Sequence, residues 1–324
     1  MVFETEWPAR LVRRAGFYSP AMLTGILFKI ASAFCFTVMA ALIRWIGDDV
    51  PSGEVVFARS AFALVPILVW LAMQGQLRDI RTARPGGHLV RSSVGALAMF
   101  CMFSGLARIP LPDATMIHYA SPLMTVALAA LILREPLHLP RIAAVLLGLA
   151  GVGVMLWPHL AGGPALENAR ALEGALFALG GAFFTACAMI QIRRLVQTET
   201  TASVVFYFSI LSSLFGLTTL PFGWVWPDPT TALALVAIGF LGGIGQVFLT
   251  SGYRYAEASV IAPFEYTTLI WALSIGWIAF GDLPDAFALV GGLVVIASGF
   301  IVIRDERARG IERARAREAA QPSA

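Results

Sequence analysis

Charge is what this chain has least of. Only 13% of its 324 residues are Asp, Glu, Lys or Arg, about half the share of an ordinary soluble domain, while 58% are hydrophobic. Lysine occurs once, as Lys29, and no Gly-x4-Gly spacing precedes it, so the chain carries no phosphate-binding loop of the kind an ATP-driven pump needs. Cysteine is nearly absent. Cys35, Cys101 and Cys187 each sit alone in an apolar block without paired spacing or nearby histidines, which argues against disulfides and against zinc. Ten-residue segments of alternating polarity are missing as well, so a membrane β-barrel does not fit. No A-x-A-like site follows a short apolar region near the start, and no cleaved signal peptide is expected.

What remains is long apolar blocks. Each has roughly the 20 residues that a helix needs to cross a ~30 Å hydrocarbon layer, where a helix satisfies its own backbone groups. Ten spans are expected, at about 22–46, 52–74, 87–107, 112–133, 140–157, 172–194, 201–223, 231–253, 258–280 and 286–303. The connections are short and carry breakers such as Asp48-Asp49-Val50-Pro51 and Pro227-Asp228-Pro229. The longest, 158–171, is the natural linker between residues 21–157 and 172–303, with short segments 1–20 and 304–324 at either end.

The two large blocks are related. Gly95 to Leu137, moved forward by 147 positions, falls on Gly242 to Pro284 without a gap, so that Ser104–Gly105 meets Ser251–Gly252, Tyr119 meets Tyr266 and Glu135 meets Asp282. Upstream, at an offset of 149, Gly25-Ile-Leu-Phe28 meets Gly174-Ala-Leu-Phe177, and Val55-Val56-Phe57 meets Val204-Val205-Phe206. A period this long points to duplicated bundles rather than a short-repeat solenoid.

Arginine sets the expected orientation. With the N-terminus inside, eighteen arginines fall on inner segments and only Arg44, Arg108 and Arg170 fall outside. Five spans per half then make the second half enter the membrane from the opposite face. Inverted repeats of this kind let two pseudo-symmetric halves open a central site to each side in turn, as secondary transporters do. The expected fold is an all-α integral membrane protein of ten transmembrane helices in two inverted five-helix repeats, multi-pass in the cell (inner) membrane with both termini cytoplasmic. The basic tail after Arg304 also carries acids and reads as a solvated helical extension near anionic headgroups, not a nucleic-acid site.

The order of features resembles the drug/metabolite transporter superfamily, in its ten-helix EamA-like branch. The residues that carry the resemblance are Glu54-x4-Arg59, Leu111-Pro112-x-Ala114, Pro122 through Glu135, and Gly148-x2-Gly151-x-Gly153. In the second copy they are Ala258 through Pro263, Tyr266, Phe280-Gly281-Asp282, Gly291-Gly292 and Gly299. The resemblance implies ion- or gradient-driven movement of a small organic solute such as an amino acid, a vitamin or a nucleotide-like metabolite, with no cofactor and no metal, by a monomer or homodimer. Two departures stand out: Asp282 takes the place of the usual glutamate, and Ser203 and Phe208 stand where a second Glu54 and Arg59 would be.

Ionisable groups inside the bilayer cost about 2.5–3.5 kcal/mol each and mark candidate sites. Counting depth along each span puts Lys29 and Glu265 at a similar distance from the inner face, where they could pair, and puts Arg59 and His118 at matching depths below the outer face. His118 and Glu265 are repeat equivalents, each beside an equivalent tyrosine, Tyr119 or Tyr266. A cavity between them would have Tyr207, Gln246 and Trp271 as walls. Arg59 also reads as an anchor for helix-end carbonyls, Lys29 as a snorkelling residue and His118 as a hydrogen-bonded core residue. Glu54, Glu135 and Asp282, at span ends, read as gating or turn residues. The rival readings are a membrane-embedded enzyme acting on a lipid-soluble substrate and a channel. The enzyme lacks a clustered metal-binding carboxylate motif. The channel would need filter rings in a symmetric assembly.

Overall fold

The structure is a computed structural model that describes residues 20–133, 139–161, 166–256 and 262–320. The described residues form helices and turns, with no strand among them. In chain order the helices are α1 (Pro20–Ile46), α2 (Ser52–Met73), α3 (Pro85–Leu106), α4 (Leu111–His118), α5 (Ala120–Leu133), α6 (Leu139–Ala161), α7 (Leu166–Leu195), α8 (Thr201–Leu217), α9 (Pro229–Tyr255), α10 (Thr267–Ile275) and α11 (Ala286–Ala320). Seven apolar stretches among the described residues are long enough to cross a membrane, one of them α4 and α5 together. Three shorter ones, Ile142–Pro158, Thr201–Leu217 and Phe264–Phe280, accompany them.

Prolines and polar caps start the helices where the sequence suggested. Pro85 and Pro229 occupy the first turns of α3 and α9, where their missing N–H groups cost nothing. The Asp228 carboxylate accepts the Thr230 and Thr231 amides at 2.8 and 3.3 Å, and Thr200 accepts the Ser203 amide at 3.1 Å. Several boundaries differ from expectation. Helix α8 stops at Leu217, because Pro221 and Gly223, the latter at φ 97°, turn the chain away before residue 223. Pro158 lies inside α6, which runs on to Ala161, and α7 begins at Leu166, so much of the expected linker is helical. The fourth span breaks at Tyr119, and the ninth is built from a 3-10 turn at Ala262–Tyr266, α10 and a π turn at Gly276–Phe280. Helix α11 continues through the basic tail.

The ends of the helices sort into two groups. At one end, Asp48 meets Arg170 at 2.6 Å and Arg108 at 3.3 Å, Arg44 meets Asp282 at 3.6 Å, and Glu54 accepts the Val225 amide at 3.2 Å. At the other, Arg254 donates to Gln74 at 3.1 Å, and Glu199 accepts the Ala83 and Arg84 amides at 3.0 and 2.9 Å. Helices α1, α2 and α3, and again α7, α8 and α9, therefore run in alternating directions.

Between these ends the helices touch through glycine. Lipid supplies no hydrophobic drive between helices, so close backbone approach and van der Waals contact hold them together. A Cβ on Gly25 of α1 would come within 3.1 Å of the Gly252 carbonyl oxygen of α9. One on Gly105 of α3 would come within 3.0 Å of the Gly174 carbonyl oxygen of α7. Gly151 of α6 and Gly291 of α11 are packed as tightly. On α9, Gly239 and Gly243 admit Phe62 and Pro66 of α2. The core this creates runs from Met39 and Ile43 through Ile109, Met116 and Ile117 to Ile238 and Val295.

Candidate functional site

Two groups of buried charge lie inside the bundle. The first joins α1 to the turn before α10. Lys29 Nζ donates to Glu265 Oε2 across 236 positions of sequence. The lysine side chain is 4% exposed and the glutamate side chain 51%, so the pair stands at the edge of open space. The Tyr119 hydroxyl points at the Glu265 carbonyl oxygen at 3.5 Å, and the Tyr119 and Tyr266 rings lie 5.1 Å apart. Tyr266 stacks on Phe300 at 5.0 Å, its hydroxyl resting where a side chain on Gly299 would stand. His118, beside the break between α4 and α5, lies within electrostatic reach of Glu265, and its Nδ1 is buried without a partner. Trp271 of α10 meets Phe34 of α1 edge-on at 5.1 Å, and its indole N–H is also unpaired. Gln246 is half-buried on α9, next to Gly245, whose carbonyl accepts the Ser32 hydroxyl at 2.8 Å.

The second group joins α2, α3 and α8. Arg59 and Met39 of α1 both lie against Gly242 of α9, in the space the glycine leaves. Its Cζ is 5.5 Å from the centre of the Phe208 ring. Arg91 stacks on the same ring at 3.5 Å, and Gly95 makes room for both the ring and the Arg91 guanidinium. Both arginines are buried, and the Nε of each and Nη1 of Arg91 have no hydrogen-bond partner. No acid pairs with either among the described residues. Tyr207 belongs here and not beside Trp271: its ring lies 4.7 Å from His88, and its carbonyl accepts the Ser92 hydroxyl at 3.4 Å.

His88 closes the group toward the Gln74 end, with Nε2 3.3 Å from Glu199. Glu199, in the turn between α7 and α8, is already taken up by the Ala83 and Arg84 amides and by the Ser203 hydroxyl at 3.3 Å. Burial works against its charge, but the nearby His88 and Thr82 side chains and the two amides outweigh that and hold the carboxyl below its ordinary range.

Of the three residues read as gates or turns, Glu54 is buried and holds the Val225 amide. Asp282 faces Arg44, and its amide closes the π turn by donating to the Gly276 carbonyl at 3.0 Å. Glu135 lies outside the described residues.

With this geometry in place, comparison with known proteins settles the class. The profile of the EamA-like transporter family matches residues 23–157 and again 172–304. The chain belongs to the EamA-like transporter family. This EamA-like chain is 29% identical over 287 residues to the Pseudopaline exporter CntI of Pseudomonas aeruginosa, covering 88% of its own length and 97% of that protein's. It is 27% identical to the S-adenosylmethionine uptake transporter of Rickettsia conorii, with 88% and 94% covered. To the Riboflavin transporter of Vibrio cholerae it is 26% identical, with 85% and 91% covered. A crystal structure at 21% identity shares the fold, with a TM-score of 0.59 over 91% of this chain and all of the other. The EamA-like chain is thus a multi-pass membrane transporter and not an enzyme.

Three residues of the second group went unnoticed in the sequence. Arg91 is one of the eighteen arginines assigned to inner segments, close to the helix start at Pro85-Gly86-Gly87, yet it lies six residues beyond Pro85 inside α3. The depth count that singled out Lys29 and Arg59 applies to it equally. His88, one turn earlier, stands close to that helix start as well. Glu199, in a turn, offers no such signal, since only the fold brings it to α3.

Proposed function

We propose that this protein is a secondary, gradient-driven transporter of a small organic metabolite, working by alternating access between two inverted five-helix halves. Ten crossings, residence in the cell (inner) membrane and cytoplasmic termini belong to the same reading. The observation that carries it is that repeat equivalents meet each other. Gly25 corresponds to Gly174 and Gly252 to Gly105, so the Gly25–Gly252 contact of α1 with α9 matches the Gly105–Gly174 contact of α3 with α7. Arg59 likewise lies over its own equivalent, Phe208, while the equivalent glycines Gly242 and Gly95 make room for the one and the other. A pseudo-two-fold axis through the Arg59–Phe208 contact accounts for all of this. Two such halves can rock about a central site without unfolding.

In this reading Lys29, Glu265, His118, Tyr119, Tyr266, Trp271 and Gln246 line one part of the substrate path, and Arg59 with Tyr207 lines another. Asp282 and Arg44 latch the end of the bundle that faces out, and Glu135 is proposed to do the same at the inner face. An amino acid, a vitamin or a nucleotide-like metabolite is the proposed cargo, carried by a monomer or homodimer. The relatives' names, which include an exporter and uptake transporters of small metabolites, support the size class.

The test is solute movement in proteoliposomes loaded with a mixed metabolite extract and read by mass spectrometry. Saturable efflux that accelerates when the same solute is present on the other side is the expected outcome. Flux that never saturates and shows no such exchange would identify a channel instead.

A further inference from the structure

Arg59 and Arg91 are 94% and 91% buried, share one aromatic ring, and have between them three buried N–H-bearing nitrogens with nothing to donate to. Each lies well inside its helix. Arg59 is seven positions into α2 and Arg91 six into α3, at about 1.5 Å per position. That is roughly 10 Å from the nearer helix end, too deep for either guanidinium to be simply a surface charge. Two like charges in one low-dielectric place repel, and neither has an acid against it. Glu199, at the Gln74 end of this wall, is already committed to two backbone amides and Ser203 and faces His88 at 3.3 Å, and Glu54 on α2 holds the Val225 amide. Phe208 offers its face to both cations, which offsets part of the cost but leaves the N–H edges unused. Guanidinium edges are shaped to take carboxylate or phosphate oxygens two at a time.

We propose that Arg59 and Arg91, seated on Phe208, form the subsite for an acidic group, carboxylate or phosphate, on the transported solute. The subsite rests on the transport reading but makes its own demand on the cargo: one part of it must be an anion. The site supplies the positive charge in the empty protein, and the solute supplies the counter-charge when it arrives. Both donors belong to the first half, on α2 and α3, and Phe208 of α8 carries the second half up to them, so a bound anion would sit at the seam between the halves.

Two measurements test this, both in uncharged detergent or neutral phosphatidylcholine vesicles so that an acidic lipid headgroup cannot fill the site. The first needs no ligand. If the two charges wait for a partner, Arg59→Met and Arg91→Met, which keep the packing stems, raise the apparent melting temperature of the empty protein by about 2–4 °C. A fall in both would mean that the guanidiniums hold the bundle together, and would overturn the proposal.

The second identifies what wild-type vesicles move from the mixed extract. The solute is expected to bear an acidic group, its uncharged, fully esterified form is not moved, and the Arg59→Met/Arg91→Met double variant loses at least ten-fold in flux. A transported solute without an acidic group, or equal transport of the ester, would overturn the subsite while leaving the transport reading intact. If wild-type vesicles move nothing, the transport reading fails, and the melting measurement alone then decides whether the unpaired arginines form an anion site.

Discussion

Lys29 and Arg59 are both cations buried in helices of the first half, yet Lys29 has a carboxylate against it and Arg59 has a second cation across a shared ring. The lysine pair is self-sufficient. It neutralises its own charge, and because Glu265 is half exposed it can separate toward water at modest cost. The arginine group is incomplete by itself, since desolvating two charges without a counter-ion is unfavourable wherever it occurs. The repeat makes the difference sharper. Ala178 and His118 stand where Lys29 and Glu265 stand in the other half, and Phe208 stands where Arg59 does. Duplication produced a symmetric frame, and substitution then made its two sides chemically different, which a site for an asymmetric solute requires.

The largest effect expected from breaking this contrast is at Glu265. Glu265→Gln strands a buried ammonium, and unfolding in detergent should show a loss of about 3 kcal/mol or more. An unchanged stability would mean that Lys29 finds water or another acceptor. Tight contacts between the halves come next. Gly25→Ala and Gly105→Ala each push a methyl into neighbouring backbone and should cost about 1–3 kcal/mol. Gly153→Ala, with nothing within 4 Å, should be neutral or slightly stabilising. Equal costs at all three would remove the argument from close packing.

Lys29→Met leaves only a half-exposed carboxylate behind, so its penalty should be nearer 1 kcal/mol, and the double variant should recover most of the Glu265→Gln loss. Additive penalties would mean that the two residues do not interact. The smallest effect concerns Glu199. Its carboxyl is held below the ordinary range in the folded protein, so the stability it contributes is full at neutral pH and is lost as pH falls below about 4.3. The acid limb of the melting-temperature profile should therefore flatten in Glu199→Gln. An identical limb in both proteins would show that the carboxylate adds nothing.

The frame of this molecule was largely legible in the chain. Apolar block length, proline and glycine punctuation, and a gapless 147-position repeat gave helices close to those observed, and the same depth count that drew attention to Lys29 and Glu265 placed them near enough to touch. What was not legible depended on side-chain reach. Arg59 and His118 share a depth in the sequence, yet long side chains and the space beside Gly242 carry Arg59 to Phe208 and Arg91. His118 stays by the α4–α5 break with Glu265. Depth along the chain puts Tyr207 with Gln246 and Trp271 as walls of one cavity, but α8 presents it to His88. Apolar periodicity carries no information about which face of a helix meets which neighbour when every face is apolar. The broken fourth and ninth stretches were legible in part: Pro122 leaves the His118 carbonyl without its helical donor at the break by Tyr119, and Pro263 lies in the 3-10 turn of the ninth, whereas the π turn from Gly276 has no proline within it.

The most direct test of a central site opened to each side in turn uses Ser92, which is 1% exposed, adjacent to Arg91, and hydrogen-bonded to the Tyr207 carbonyl. A Ser92→Cys variant in an otherwise cysteine-free protein can be treated with an impermeant maleimide in right-side-out and in inverted membrane vesicles. Alternating access predicts labelling from both faces, each slowed when the transported solute holds the halves closed around it. Labelling from one face only, or from neither, would contradict it.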